Sequence, residues 1–319
     1  MSKKFNDNLN VLVYGNVDKL KANSDHHFFD QLSAVSDDMT QAPKTLSELN
    51  KYILEGSYTH VVIPDEHFHN LEGTLKGCDV PVVEFLGDHW VNWAIERKVN
   101  YLKDNGIKHA FVLSDRFKEG YEGVNFHPVL TGFDISTFFD QNKERDIDVL
   151  ISGAMKKHEP WVYPVRSWLG EILPEIGVKE GINVYTHEHP GRVLEKGEEK
   201  KTIEYANILN RSKISTGGSS HWRLNLKKFY EIPACGSILL SDLPLEDTAF
   251  FRGNIIEIDP EKTHSKGYEN EIRGKIIGVL ENYDKYKKEL QPFKNADDFF
   301  SRSYEGKALE MRAILGSIK

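Results

Sequence analysis

The chain has 319 residues, 39% hydrophobic and 28% charged, the make-up of an ordinary soluble protein with enough chain for two domains of about 150 residues each. A formal net charge of −8 opposes nonspecific attraction to nucleic acid or an anionic membrane, and no apolar run reaches the length that spans a bilayer. Cys78 and Cys235 have neither metal spacing nor a disulfide framework, and the opening MSKKFNDNLN lacks a signal-peptide core, so a cytoplasmic protein with reduced thiols is expected.

Apolar runs alternate with amphipathic segments throughout, the pattern of α/β units around parallel sheets. In the first half, strands are expected at Asn10–Tyr14, His60–Ile63, Val80–Phe85 and Ala110–Leu113, with Asn125–Leu130 as a further candidate. Helices are expected at Phe28–Val35, Leu46–Leu54 and Trp90–Leu102. The outline is Rossmann-like, yet no GxGxxG is present, which removes the main support for a dinucleotide site.

A domain change is expected in the polar stretch Phe138–Asp146, giving domains at 1–140 and 146–295 and a final helical segment, 296–319, returning to the first domain. The second half predicts strands at Ile147–Ser152, Ile182–Tyr185, Lys213–Thr216, Ser237–Leu240 and Asn254–Ile258. Helices are predicted at Val162–Ile172, Ile203–Asn210, Arg223–Ile232 and Glu269–Glu289.

The most informative stretch is Gly217–Asp242, GGSSHWRLNLKKFYEIPACGSILLSD, which reads as a glycine turn, a helix and a buried strand. Ser219 or Ser220 is placed to cap the helix, whose first-turn N–H groups would bind an anion such as phosphate. Arg223, Lys227 and Glu231 are spaced four apart on one helical face, with Trp222, Leu226, Phe229 and Tyr230 opposite. Solvated charges beside a simple turn are the plain alternative.

Within this stretch, KKFYEIPACGSILLSD resembles the signature of glycosyltransferases related to the spore-maturation CgeB proteins, which belong to the GT-B group of nucleotide-sugar enzymes. Lys228 takes the family's basic position, followed by Glu231 and by Ala234, Cys235 and Gly236. YANILNRSKIST at Tyr205–Thr216 and DVLISGAMKKHEPWVYPVR at Asp148–Arg166 are similar to family segments as well. Many retaining GT-B enzymes carry a second Glu eight residues before the first, where it meets the donor sugar; here that position holds Arg223.

The resemblance implies an α/β GT-B fold: two Rossmann-like domains with parallel sheets facing across a cleft. It also implies that Glu231 accepts hydrogen bonds from ribose hydroxyls, a task suited to a fixed carboxylate, whereas a surface carboxylate paired with Lys227 or Lys228 is the structural alternative. Arg223, Lys227 and Lys228 would neutralise the donor diphosphate without a metal, and no Asp-x-Asp pair is present to hold one. Gly153, with Lys156, Lys157 and His158 beyond it, would approach the phosphates from one side, and Gly217, Gly218 and Ser219 from the other.

His187 and His189 have i, i+2 spacing and no third ligand, so a loop touching the base or diphosphate is preferred to a metal site. On the acceptor side, Asp88 or His89 in GDHW would serve as base, with Trp90 or Trp93 against a sugar; His26 or His27 in SDHHFF is the alternative. Helix capping explains Asp25 and Asp88 almost as well.

The expectation is a glycosyltransferase moving a sugar from a nucleoside-diphosphate donor, a UDP-sugar first among them, to a hydroxyl-bearing acceptor, with no cofactor and no membrane partner. Glycan, protein, small metabolite and modified DNA stay open as acceptors. A nucleotide-sugar epimerase of similar architecture and a noncatalytic nucleotide- or sugar-binding protein are the alternatives.

Overall fold

The computed structural model describes the chain apart from residues 1–4, 6, 23–25, 66–70, 88–91, 115–120, 122, 154–159 and 188–198; for 21, 22, 26–28, 92–94 and 199–201 the backbone alone is described. The residues divide into two compact units, Met1–Gly132 with Ser303–Lys319, and Phe133–Gly191 with Lys196–Arg302. No described helix is long and apolar enough to cross a membrane.

The first unit holds six strands, β1 (Val11–Tyr14), β2 (Asp38–Thr40), β3 (His60–Pro64), β4 (Val82–Leu86), β5 (His109–Val112) and β6 (Asn125–Pro128). They form one parallel sheet in the order β2-β1-β3-β4-β5-β6. Every residue of β1 and β3 is buried, as both faces of a parallel sheet require. Val11 and Val13 enter one core, Leu12 and Tyr14 the other, because successive strand side chains point to opposite faces.

Helices α1 (Val17–Ala22), α2 (His26–Val35), α3 (Leu46–Gly56) and α4 (Asn92–Asp104) alternate with these strands. Thr45 and Glu48 close a capping box at the start of α3, which buries Leu49 and Ile53. The short β2 and α1 lack a sequence pattern strong enough to announce them.

In the second unit, β7 (Ile147–Ser152), β8 (Val184–His187), β9 (Ser212–Thr216), β10 (Ile238–Ser241) and β11 (Ile256–Glu257) form a parallel sheet in the order β11-β10-β9-β7-β8. After β7 the chain adds β8 on one side and then crosses to β9 on the other. The sheet order therefore reverses between β7 and β9, where open α/β sheets leave a ligand crevice at their carboxyl ends.

The intervening helices are α5 (Pro164–Glu180), α6 (Glu199–Arg211), α7 (Lys228–Ala234), α8 (Thr248–Phe251), α9 (Tyr268–Glu281), α10 (Tyr283–Glu289) and α11 (Ala296–Ser301); α12 (Tyr304–Leu315) belongs to the first unit. The long helix expected at Glu269–Glu289 is interrupted at Asn282, whose φ of −124° is not helical.

The change of unit falls between Gly132 and Phe133, ahead of the polar stretch 138–146. Phe133 and Phe138 are buried in the second core, so apolar anchors override the polar composition around them. Likewise α11 stays with the second unit, and only Ser303–Lys319 returns to the first. There Arg312, 2% exposed, bonds Asp7 and Asp37 and donates to the carbonyls of Leu9 and Val35.

Candidate functional site

The helix expected from Arg223 begins at Lys228 instead. Ser220 and Arg223 hold left-handed backbones with φ of 66° and 55°, which break any helix through this turn. Asn225 N–H donates to the Glu246 carboxylate at 3.1 Å, and Asn225 Nδ2 donates to the Tyr230 hydroxyl at 2.6 Å. The turn is thereby fixed as a structure of its own.

This corrects the shared helical face of Arg223, Lys227 and Glu231. Arg223 donates through Nε and a terminal nitrogen to the Leu243 carbonyl at 3.3 and 2.9 Å, away from the helix. Ser219 does not cap a helix either: its hydroxyl bonds the Asp242 carboxylate, and its N–H donates to the same carboxylate at 3.0 Å. Asp242 is buried, and burial raises its pKa against the lowering effect of the Ser219 bonds.

Lys228 and Glu231 lie on α7, just past this turn. Glu231 is 5% exposed and 3.8 Å from Lys227 Nζ. Lys228 Nζ donates to the Tyr205 hydroxyl at 2.5 Å, stands 3.9 Å from the centre of that ring and lies 3.5 Å from Ser152 Oγ at the end of β7. Ser152 and Tyr205 are 3.2 Å apart, closing a triangle of serine, tyrosine and lysine.

Enclosure lowers the Lys228 pKa from 10.5 to about 7, with Glu231 pushing it up and Arg166 and Lys227 pushing it down. The Tyr205 hydroxyl is shifted upward, first by burial and then by Glu231. His187, at the end of β8, stacks on Tyr205 with ring centres 5.7 Å apart and planes 18° from parallel. Burial, followed by nearby Lys228, lowers its pKa, while Glu204 acts in the opposite sense.

With Tyr205 and Ser152, Arg166 is one of the site residues that sequence reasoning missed. It lies near the start of α5, is 3% exposed, covers the Tyr163 ring at 4.3 Å and donates to the Gly218 carbonyl at 3.1 Å. Burial lowers its pKa. Its signal in the sequence was a lone arginine in the apolar stripe Val165, Trp168, Leu169, at the end of a segment already marked by the resemblance.

Gly153 explains why these cations converge. Its φ is 99°, and a Cβ added there would come within 2.9 Å of both Arg166 Nη1 and Lys228 Cε. Glycine thus provides both the backbone geometry and the room. Gly217 packs beneath the crevice, where a Cβ would lie 2.7 Å from Leu239 Cδ1, while Gly218 lines Arg166.

The Ala-Cys-Gly triplet ends α7 on structural grounds. Cys235 is fully buried, and Gly236 has φ of 72° at a point where a Cβ would collide with the Asp140 carboxylate.

The structure therefore brings together Gly153, Gly218, Ser219, Lys227, Lys228, Glu231 and His187 at the carboxyl end of one sheet, adds Arg166, Tyr205 and Ser152, and directs Arg223 elsewhere. Lys156, Lys157, His158, His189, Asp25, Asp88, His89 and Trp90 lie outside the described residues, as do the side chains of His26, His27 and Trp93. Among the described residues, no group of three or more His, Cys, Asp or Glu is placed to hold a metal.

No protein-family model matches the chain, and neither does any curated protein sequence. Solved structures do. A glycosyltransferase from Rickettsia africae is 8% identical with a TM-score of 0.55, the match covering 98% of this chain and 99% of that one. Anabaena HepE in complex with UDP is 10% identical, with a TM-score of 0.54 and coverage of 97% and 100%. An α-glucosyltransferase in complex with UDP and a 13-mer DNA is 12% identical, with a TM-score of 0.50 and coverage of 96% and 98%.

The chain spans only 59% of the pneumococcal O-GlcNAc transferase GtfA and 58% of TarM, longer proteins that it also matches. The two parallel α/β sheets and these neighbours define the fold as GT-B, the architecture of a large class of glycosyltransferases.

Proposed function

We propose that this chain is a glycosyltransferase that takes a sugar from a nucleoside-diphosphate donor, with UDP-sugars the first choice, and passes it to a hydroxyl group without a metal. The observation that carries this reading is the convergence of Arg166 and Lys228 on Gly153 at the switch point of the second sheet, with the Glu231 carboxylate on the same short helix as Lys228. HepE, one structural neighbour, was solved with UDP and with UDP-glucose, which favours uridine as the base. Membership of the CgeB-like group is part of the proposal and rests on the segment around Ala234–Gly236.

In this reading Glu231 accepts hydrogen bonds from the ribose hydroxyls, His187 flanks the nucleotide, and the Gly218–Ser219 backbone lines the diphosphate. Arg166 and Lys228 balance the charge that grows on the diphosphate as its bond to the anomeric carbon breaks. The acceptor oxygen forms the new bond to that carbon. Its proton leaves to the departing diphosphate or to a base, for which Asp88, His89 and His26 stay the candidates.

Calorimetric titration with nucleoside diphosphates and their sugar conjugates, with and without magnesium, tests the proposal. Magnesium-independent binding of one nucleotide supports it; absence of binding across the panel overturns it. A noncatalytic binder is the second reading, favoured by Arg223 standing where retaining relatives carry Glu and by its engagement with Leu243. Binding without transfer or hydrolysis would select that reading.

A further inference from the structure

Beside the cation pair lies an aromatic group that the donor site does not use. Trp161 is 54% exposed, whereas Trp168, further along the same segment, is buried. The Trp161 ring centre is 6.0 Å from that of His221 and 5.9 Å from that of Trp222, and the last two are 5.8 Å apart. All three pairs are edge-to-face, at 71° to 81°, so the rings form a faceted surface rather than a closed stack.

Trp161 belongs to the segment that leads into α5 and Arg166, whereas His221 and Trp222 belong to the turn after Gly218. These are the two segments that frame the cation pair. They are tied twice, by His221 N–H to the Val162 carbonyl at 2.9 Å and by Arg166 to the Gly218 carbonyl at 3.1 Å. The aromatic surface and Arg166 are therefore carried by the same two tied segments.

We infer that Trp161, His221 and Trp222 form a platform for a pyranose ring of the acceptor, which makes the acceptor a carbohydrate. The inference rests on the glycosyltransferase reading above. A pyranose presents a patch of C–H bonds that stacks on an indole face, and its rim of hydroxyls suits an imidazole that both donates and accepts. Trp161 stands exposed, whereas Arg166 is buried.

The test uses the full chain and three probes, methyl α-D-glucopyranoside, methyl β-D-glucopyranoside and N-acetylglucosamine, followed by saturation-transfer NMR and tryptophan fluorescence with and without UDP. At least one probe is expected to bind, with affinity reduced about tenfold in Trp161→Ala and largely kept in Trp161→Phe, while UDP affinity stays within about twofold. Thermal melting checks that both variants are folded. Failure of all three sugars to bind, or equal binding to Trp161→Ala, overturns the platform.

A loss in Trp161→Ala confined to UDP-glucose relative to UDP also overturns it, because the rings would then serve the donor sugar. If UDP does not bind but a glycoside does so through Trp161, the rings bind a sugar, whereas the glycosyltransferase reading and with it the acceptor role fail.

Discussion

Lys228 Nζ meets the Tyr205 hydroxyl at 2.5 Å while lying 3.9 Å from the centre of the same ring. Because the tyrosine is enclosed and stays protonated, it holds the lysine by a neutral contact and leaves the positive charge available to a ligand. That arrangement makes the site sensitive to pH.

The Lys228 pKa of about 7 predicts proton uptake when a diphosphate binds above neutrality, since an anion favours the ammonium form. UDP affinity should fall as pH rises from about 7 to 9, with proton uptake approaching one per site. Calorimetry at pH 8.5 in buffers of different ionisation enthalpy measures this; an enthalpy independent of buffer would contradict it. The effect on folding has the opposite sign. The folded pKa lies below the value of 10.5, so the unfolded chain binds more protons between about 7 and 10.5, and stability rises with pH across that window.

Glu231→Ala removes the proposed ribose acceptor. UDP should bind about tenfold more weakly, in line with loss of charge-assisted hydrogen bonds, whereas the melting temperature changes little. An unaltered Kd in the folded variant would place the ribose elsewhere.

Gly153→Ala should abolish nucleotide binding, because the methyl group enters the space shared by Arg166 and Lys228 and the backbone has φ of 99°. The backbone alone costs about 1–3 kcal/mol of stability. Urea denaturation and calorimetry on one preparation read both effects, and wild-type affinity would show that the cradle forms without glycine.

Arg166 and Arg223 should behave differently. Arg223→Ala loses bonds to the Leu243 carbonyl and is expected to cost about 1–2 kcal/mol of stability with UDP affinity within about twofold. Arg166→Met, which keeps the buried bulk, should weaken UDP by about tenfold or more. If Arg223→Ala proves the more damaging to binding, the assignment of the phosphate cation reverses.

Arg312→Ala should destabilise the first unit by about 1–3 kcal/mol, since it removes the ion pairs to the partly exposed Asp7 and Asp37 and frees the carbonyls of Leu9 and Val35. Chemical denaturation measures the loss. A change below about 0.5 kcal/mol would show that these bonds are compensated by water.

The sequence by itself determined the alternation of strands and helices, the parallel sheets that buried apolar runs demand, and the nearness of Lys228 to Glu231, three positions apart on one helix. It also marked the glycine turns after β7 and β9, since these lie at the ends of strong apolar strands. These features depend on neighbours within a few residues, where periodicity and spacing act.

Only the tertiary structure decided which arginine joins Lys228. Helical spacing favoured Arg223, but the positive φ angles of Ser220 and Arg223 and the pull of the Leu243 carbonyl turn it aside. Arg166 reaches the site from more than sixty residues upstream, because β7 and β9 are adjacent in the sheet. The same pairing brings Trp161, which follows β7, to His221, which follows β9. Contacts of this kind are set by sheet order and side-chain packing, for which a linear pattern carries no local signature.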